Sequence, residues 1–140
     1  MASNDKQKPI EGLSKKRVLL VEDDVFLGDI IARKLVAQGC IFLYAQDGEK
    51  ALPMVEREMP DIILLDLLLP GISGFDLLEK FKKNPKTKDI PVIILSNLSQ
   101  PSDLEKGKSL KAARFLIKAT TSTEEIMLKL KEVLEETKKS

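Results

Sequence analysis

Glu22-Asp23-Asp24, Asp66, Ser96 and Lys118 each follow directly on a short apolar run, and their side chains are those that handle a divalent cation and a phosphoryl group. Carboxylate oxygens are the hard donors that Mg²⁺ prefers. An aspartate such as Asp66 can attack phosphorus and form an acyl phosphate, and a Mg²⁺ beside it would neutralise charge on the group in transfer. A hydroxyl and an ammonium can then hold the phosphoryl oxygens. The loop 22–24 has no glycine before Gly28, so it is not the glycine-rich cradle that a dinucleotide or flavin phosphate needs. Each residue also has a plainer reading. Asp23 or Asp24 can cap the helix that follows, Asp66 its own loop, Ser96 can serve a turn, and Lys118 can be a solvated lysine. Asp66 resists the plain reading most. It stands between Ile62-Ile63-Leu64-Leu65 and Leu67-Leu68-Leu69, where a carboxylate needs a partner or a task.

The apolar runs are 18–21, 62–65, 92–95 and 114–117. Short continuous runs read as strands buried on both faces, as parallel strands are. Ligands of an open parallel sheet bind beyond the carboxyl ends of its strands, so all four polar clusters fall on one edge. Helical spacing of Leu27, Ile30, Ile31 and Leu35 predicts a helix over 25–38; a strand follows at 41–45 and a helix at 48–58. Ser73 and Asp76 open a helix to Lys83. The stretch 99–111 predicts a short, mobile helix, with capping-box spacing at Ser102 and Glu105 and with Gly107 lowering its propensity. Ser122 and Glu125 open a last helix to about Glu136. Five βα repeats predict an α/β fold with a parallel sheet between two helical layers. Residues 1–15 read as a polar mobile tail, 16–137 as one domain and 138–140 as a tail.

The totals narrow the function. A net charge of +1 gives no case for direct nucleic-acid binding, and the absence of histidine excludes any mechanism that needs one on this chain. Cys40 is the single cysteine, so no intramolecular disulfide can form. No apolar run is long enough to span a bilayer, and residues 1–16 lack the apolar segment of a secretory signal. The expectation is a cytoplasmic protein with no membrane partner.

Glu22-Asp23-Asp24, Asp66, Pro70-Gly71 with Gly74, Ser96, and Phe115 three residues before Lys118 form an ordered set that resembles the receiver domain of two-component response regulators. The resemblance covers about residues 16–137. It implies a flavodoxin-like (βα)5 three-layer sandwich with a five-stranded sheet of order 2-1-3-4-5. It implies that Asp66 accepts a phosphoryl group from a histidine kinase or a histidine phosphotransfer protein, and that the chain is a phosphoacceptor rather than a turnover enzyme on a small molecule. It implies Mg²⁺ held by Asp23, Asp24, Asp66 and the backbone carbonyl of Leu68. It implies catalytic and reading roles for Lys118 and Ser96, and a switch aromatic at Phe115. The loop 96–102, the helix after it and the fifth strand would move. If the sequence is a whole protein, output passes to a downstream protein partner, from a monomer or a weak dimer.

The chain departs from the family pattern at three places. Ala119 stands where proline is usual after the lysine, and Asn97 where alanine or glycine is usual, close enough to crowd a phosphoryl group. Leu68 and Leu98, two residues beyond Asp66 and Ser96, cannot orient an attacking water, which predicts a long-lived acyl phosphate. Leu68 also excludes an aspartyl-phosphatase, which needs a general acid there. Ala119 and Asn97 are the grounds for an alternative, a receiver-like interaction module that works without phosphorylation.

Overall fold

The computed structural model describes residues 10–139. In chain order the elements are β1 (Arg17–Val21), α1 (Val25–Ala37), β2 (Ile41–Ala45), α2 (Gly48–Glu58), β3 (Ile62–Leu65), α3 (Gly74–Lys83), β4 (Val92–Ser96), α4 (Pro101–Ser109), β5 (Arg114–Ile117), a 3₁₀ turn at Lys118–Thr120, and α5 (Thr123–Lys139). All strand pairs are parallel, in the order β2-β1-β3-β4-β5, as the resemblance implied.

Alternation along the strands divides the core into two layers. Val18, Leu20, Ile62, Leu64, Ile93 and Leu95 face α1 and α5, where Ile31, Leu35, Ile126, Met127, Leu130 and Val133 meet them. Leu19, Val21, Ile63, Leu65, Val92 and Ile94 face the other way, against Ala51 and Val55 of α2 and Leu77, Leu78 and Phe81 of α3. A strand sandwiched in this way has no polar face, which is why the runs in the sequence do not alternate.

Local signals set most of the helix starts. Asp24, Asp47 and Ser73 cap α1, α2 and α3 by accepting backbone N–H groups. The predicted box at Ser122 forms, with Glu125 N–H donating to Ser122 Oγ at 3.1 Å. The box predicted at Ser102 and Glu105 does not. Helix α4 starts earlier, with Pro101 in its first turn and the Gln100 N–H donating to Asp103 Oδ2 at 3.1 Å. Gly107 serves packing there: a Cβ would lie 2.9 Å from Ile94 Cδ1 and 3.0 Å from Phe115 Cδ2, so glycine lets α4 close on the sheet.

The tail expected over 1–15 falls largely outside the described residues, but 10–15 are packed. Leu13 is fully buried, its carbonyl accepts from Cys40 Sγ at 3.3 Å, and Ile10 N–H donates to Gln38 Oε1. Two apolar side chains in a polar stretch suffice to seat it on the α1 and α5 layer. At the other end α5 continues to Lys139, past the predicted end at Glu136. No helix among the described residues is long and apolar enough to cross a membrane.

Candidate functional site

Strand order decides where the edge opens. From β1 the chain turns one way to β2 and then crosses to β3 on the other side, so the crevice lies between the carboxyl ends of β1 and β3. Val21 is in register with Leu65, and Asp66 N–H donates to the Val21 carbonyl at 3.0 Å. This puts Glu22 and Asp66 side by side at the crevice floor, where they are 1% and 4% exposed.

Carboxylate oxygens of Glu22, Asp23 and Asp66 lie within 4.8 Å of one another, with Asp23 exposed above the two buried acids. Asp24, expected in this group, turns away. Its Oδ1 accepts from Phe26 N–H at 3.0 Å and Leu27 N–H at 3.2 Å, which makes it the cap of α1. Glu22 stands in the acidic run but has no ligand role in the expected metal set. Its position directly after Val21 was the available signal.

Lys118 reaches the same floor from β5. Its Nζ donates to Asp66 Oδ2 at 2.8 Å and lies 2.6 Å from Glu22 Oε1. The second contact is a close ion pair, so one ammonium serves both buried acids, while Glu22 Oε2 accepts the Asp24 N–H at 3.0 Å. Burial raises the Glu22 carboxyl above its ordinary value, against the opposing pull of Lys118. For Lys118, burial acts to lower its affinity for the proton, but Asp66 and Glu22 outweigh it and hold the ammonium above its ordinary value.

Three carboxylates against one ammonium leave two negative charges at the site. A divalent cation matches that charge, and Glu22 Oε1 and the exposed Asp23 offer it oxygens. The donor set therefore fits a hard cation such as Mg²⁺.

The loops complete the edge. Leu68 N–H donates to Asp66 Oδ1 at 3.2 Å, so the phosphoacceptor candidate orders its own loop, and Gly74 N–H donates to the Leu67 carbonyl at 3.0 Å. Ser96 is fully buried at the end of β4, with its Oγ accepting from Leu98 N–H at 3.4 Å. Phe115 is half-buried under α4, beside Gly107. No hydrogen bond joins Ser96 or Phe115 to the Asp66 cluster among the described residues. Peptide bonds are trans throughout these residues, including Lys118–Ala119, and the Lys118 ammonium reaches Asp66. Asn97 Oδ1 accepts from Ala119 N–H at 2.9 Å.

A family model described as the response regulator receiver domain matches residues 18–131. The chain belongs to that family. The receiver is 31% identical over 121 residues to the DNA-binding dual master transcriptional regulator RpaA of Synechocystis, covering 86% of this chain and 50% of RpaA. Among solved structures, a CheY-like receiver domain protein of Methanospirillum hungatei superposes with a TM-score of 0.83 at 26% identity, covering 90% of this chain and 98% of that one. The Mn²⁺-bound form of the response regulator Rcp1 superposes with a TM-score of 0.72 at 26% identity, covering 84% and 91%. The receiver spans about half or less of the length of the curated relatives, 48%, 22% and 53% in three of them. The expectation of no nucleic-acid partner therefore rests on the charge of these 140 residues alone and is not supported for a longer protein, since RpaA is itself DNA-binding.

Proposed function

We propose that the receiver takes a phosphoryl group on Asp66 from a phosphohistidine of a partner kinase or phosphotransfer protein, and that Lys118 and Ser96 read it. The carrying observation is the buried Asp66 carboxylate held by Lys118 Nζ at 2.8 Å, with the buried Glu22 carboxylate 2.6 Å from the same ammonium. An Asp66 oxygen bonds to phosphorus as the N–P bond of the donor breaks, and the histidine departs with the bonding pair and takes up a proton. Mg²⁺ would supply charge neutralisation for that transfer. Glu22, Asp23, Asp66 and the Leu68 carbonyl are the proposed ligands, with Glu22 in the place expected of Asp24. The Mn²⁺-bound state described for Rcp1 supports the metal at a site of this fold.

The product adds negative charge at the floor, which Lys118 already faces. The buried Ser96 hydroxyl and the half-buried Phe115 under α4 are placed so that a shift of the β4 loop would be felt at both, the differential contact that a population shift requires. The readout surface is then α4, β5 and α5, facing a downstream protein.

With acetyl phosphate and Mg²⁺, the wild-type chain should gain one phosphoryl group by intact mass, and Asp66→Asn should gain none. Uptake by Asp66→Asn would place the phosphoryl group elsewhere and end this reading. The phosphorylated form should persist for minutes or longer, because Leu68, 54% exposed, and Leu98 offer no group to orient water. Label lost within seconds in Mg²⁺ would contradict that lifetime.

A further inference from the structure

Ala119 and Asn97 are separated in sequence but bonded in space. Ser96 is in register with Ile117, so residue 97 stands beside residue 118 as the two strands end. Ala119 is the second residue of the 3₁₀ turn Lys118–Thr120, where an N–H has no acceptor within the turn itself. A proline there would carry no N–H, and alanine or glycine at 97 would carry no acceptor. Each residue thus supplies what the other needs, and Asn97 Oδ1 accepts the Ala119 N–H at 2.9 Å.

The bond bears on the site because Ala119 follows Lys118, whose ammonium lies 2.6 Å from Glu22 and 2.8 Å from Asp66. We propose that Asn97 is a positioning residue: through the Ala119 N–H it ties the end of β5 to the end of β4 and so sets where the Lys118 ammonium stands over Asp66. Asn97 also follows Ser96 directly, so a displacement of the Ser96 loop pulls on the Lys118 turn through the same bond. The consequence for phosphotransfer rests on the reading of Asp66 given above. The positioning itself does not.

Two measurements on the full chain separate these. In the first, the ¹⁵N-labelled Lys118 ammonium is observed at neutral pH in wild type and Asn97→Ala without phosphoryl donor. Slowly exchanging ammonium hydrogens in the wild type and fast exchange in Asn97→Ala are expected; the same exchange in both overturns the proposal, whether or not the wild type takes up a phosphoryl group. In the second, phosphorylation by acetyl phosphate is followed over a Mg²⁺ series. Asn97→Ala should slow uptake by about three- to tenfold, the equivalent of one net hydrogen bond, with the half-saturating Mg²⁺ unchanged. In an Ala119→Pro background the same substitution should change nothing further. A lower melting temperature with an unchanged rate would make Asn97 merely structural. Full additivity of the two substitutions would break the link between them, and if Ala119→Pro does not fold, the rate of the single Asn97→Ala variant decides. Absence of uptake by the wild type would end the reading of Asp66 and leave the ammonium measurement to decide the positioning.

Discussion

Lys118→Met is expected to cost the receiver about 3 kcal/mol of stability at neutral pH in metal-free buffer, because removing one partner leaves buried charge uncompensated. Glu22 and Asp66 are 1% and 4% exposed, and Lys118 is the cation that contacts both among the described residues. The loss should depend on pH, and its sign follows from Glu22. Burial already holds Glu22 above the ordinary 4.5, and loss of Lys118 removes an influence that lowers it. A carboxyl whose folded-state pKa is raised binds more protons folded than unfolded, so its contribution is present below 4.5 and is lost as pH rises through the folded value. Lys118→Met should therefore lie close to wild type in acid and fall below it steadily towards neutrality. Mg²⁺ should return part of the loss, since it brings positive charge to the same oxygens. Urea unfolding over a pH series, with chelator and with Mg²⁺, measures this. Equal stability of the two proteins at every pH would mean that the ammonium does not compensate the acids.

Gly74→Ala should damage both fold and site. A Cβ on Gly74 would lie 2.3 Å from the Asp66 carbonyl oxygen and 2.5 Å from Leu67 Cα. Those are backbone atoms of the loop that carries the phosphoacceptor candidate, and no rotamer change can move them. Either the start of α3 or the Asp66 loop must shift, with a cost of about 3 kcal/mol, at the upper end for overpacking. A displacement of about 1 Å at Asp66 would slow phosphoryl uptake by roughly a hundredfold. Gly107→Ala makes the useful contrast, because the nearest atoms to its added Cβ belong to the Ile94 and Phe115 side chains rather than to backbone. Uptake rates and denaturant midpoints of the two variants should diverge, and wild-type uptake by Gly74→Ala would show that the loop gives way freely.

Much of this molecule is legible along the chain. The strands β1, β3 and β4 are buried on both faces, so they appear as unbroken apolar runs, and the residue after each must lie at the carboxyl edge. That reasoning brings Glu22, Asp66 and Ser96 to one end of the sheet, and the apolar run 115–117 of the half-buried β5 brings Lys118 to the same end. The caps at Ser73 and Ser122 are equally local, since a hydroxyl three residues before an acid forms its bonds within one turn.

The sequence by itself determined the alternation of strands and helices, the edge on which the chemistry gathers, and the family pattern from Glu22 to Lys118, because these follow from periodicity and chain order. Only the tertiary structure decided which acids share the crevice, and it chose Glu22 over Asp24, since the pairing of β1 with β3 sets Glu22 beside Asp66 while Asp24 caps α1. It also decided that Gly74 and Gly107 are sites of close approach, that Leu13 belongs to the core, and that Asn97 and Ala119 are partners. The physical reason is common to all of these. Each depends on a contact between segments distant in the chain, and no local pattern of residues encodes the distance between two loops that only the packed sheet brings together.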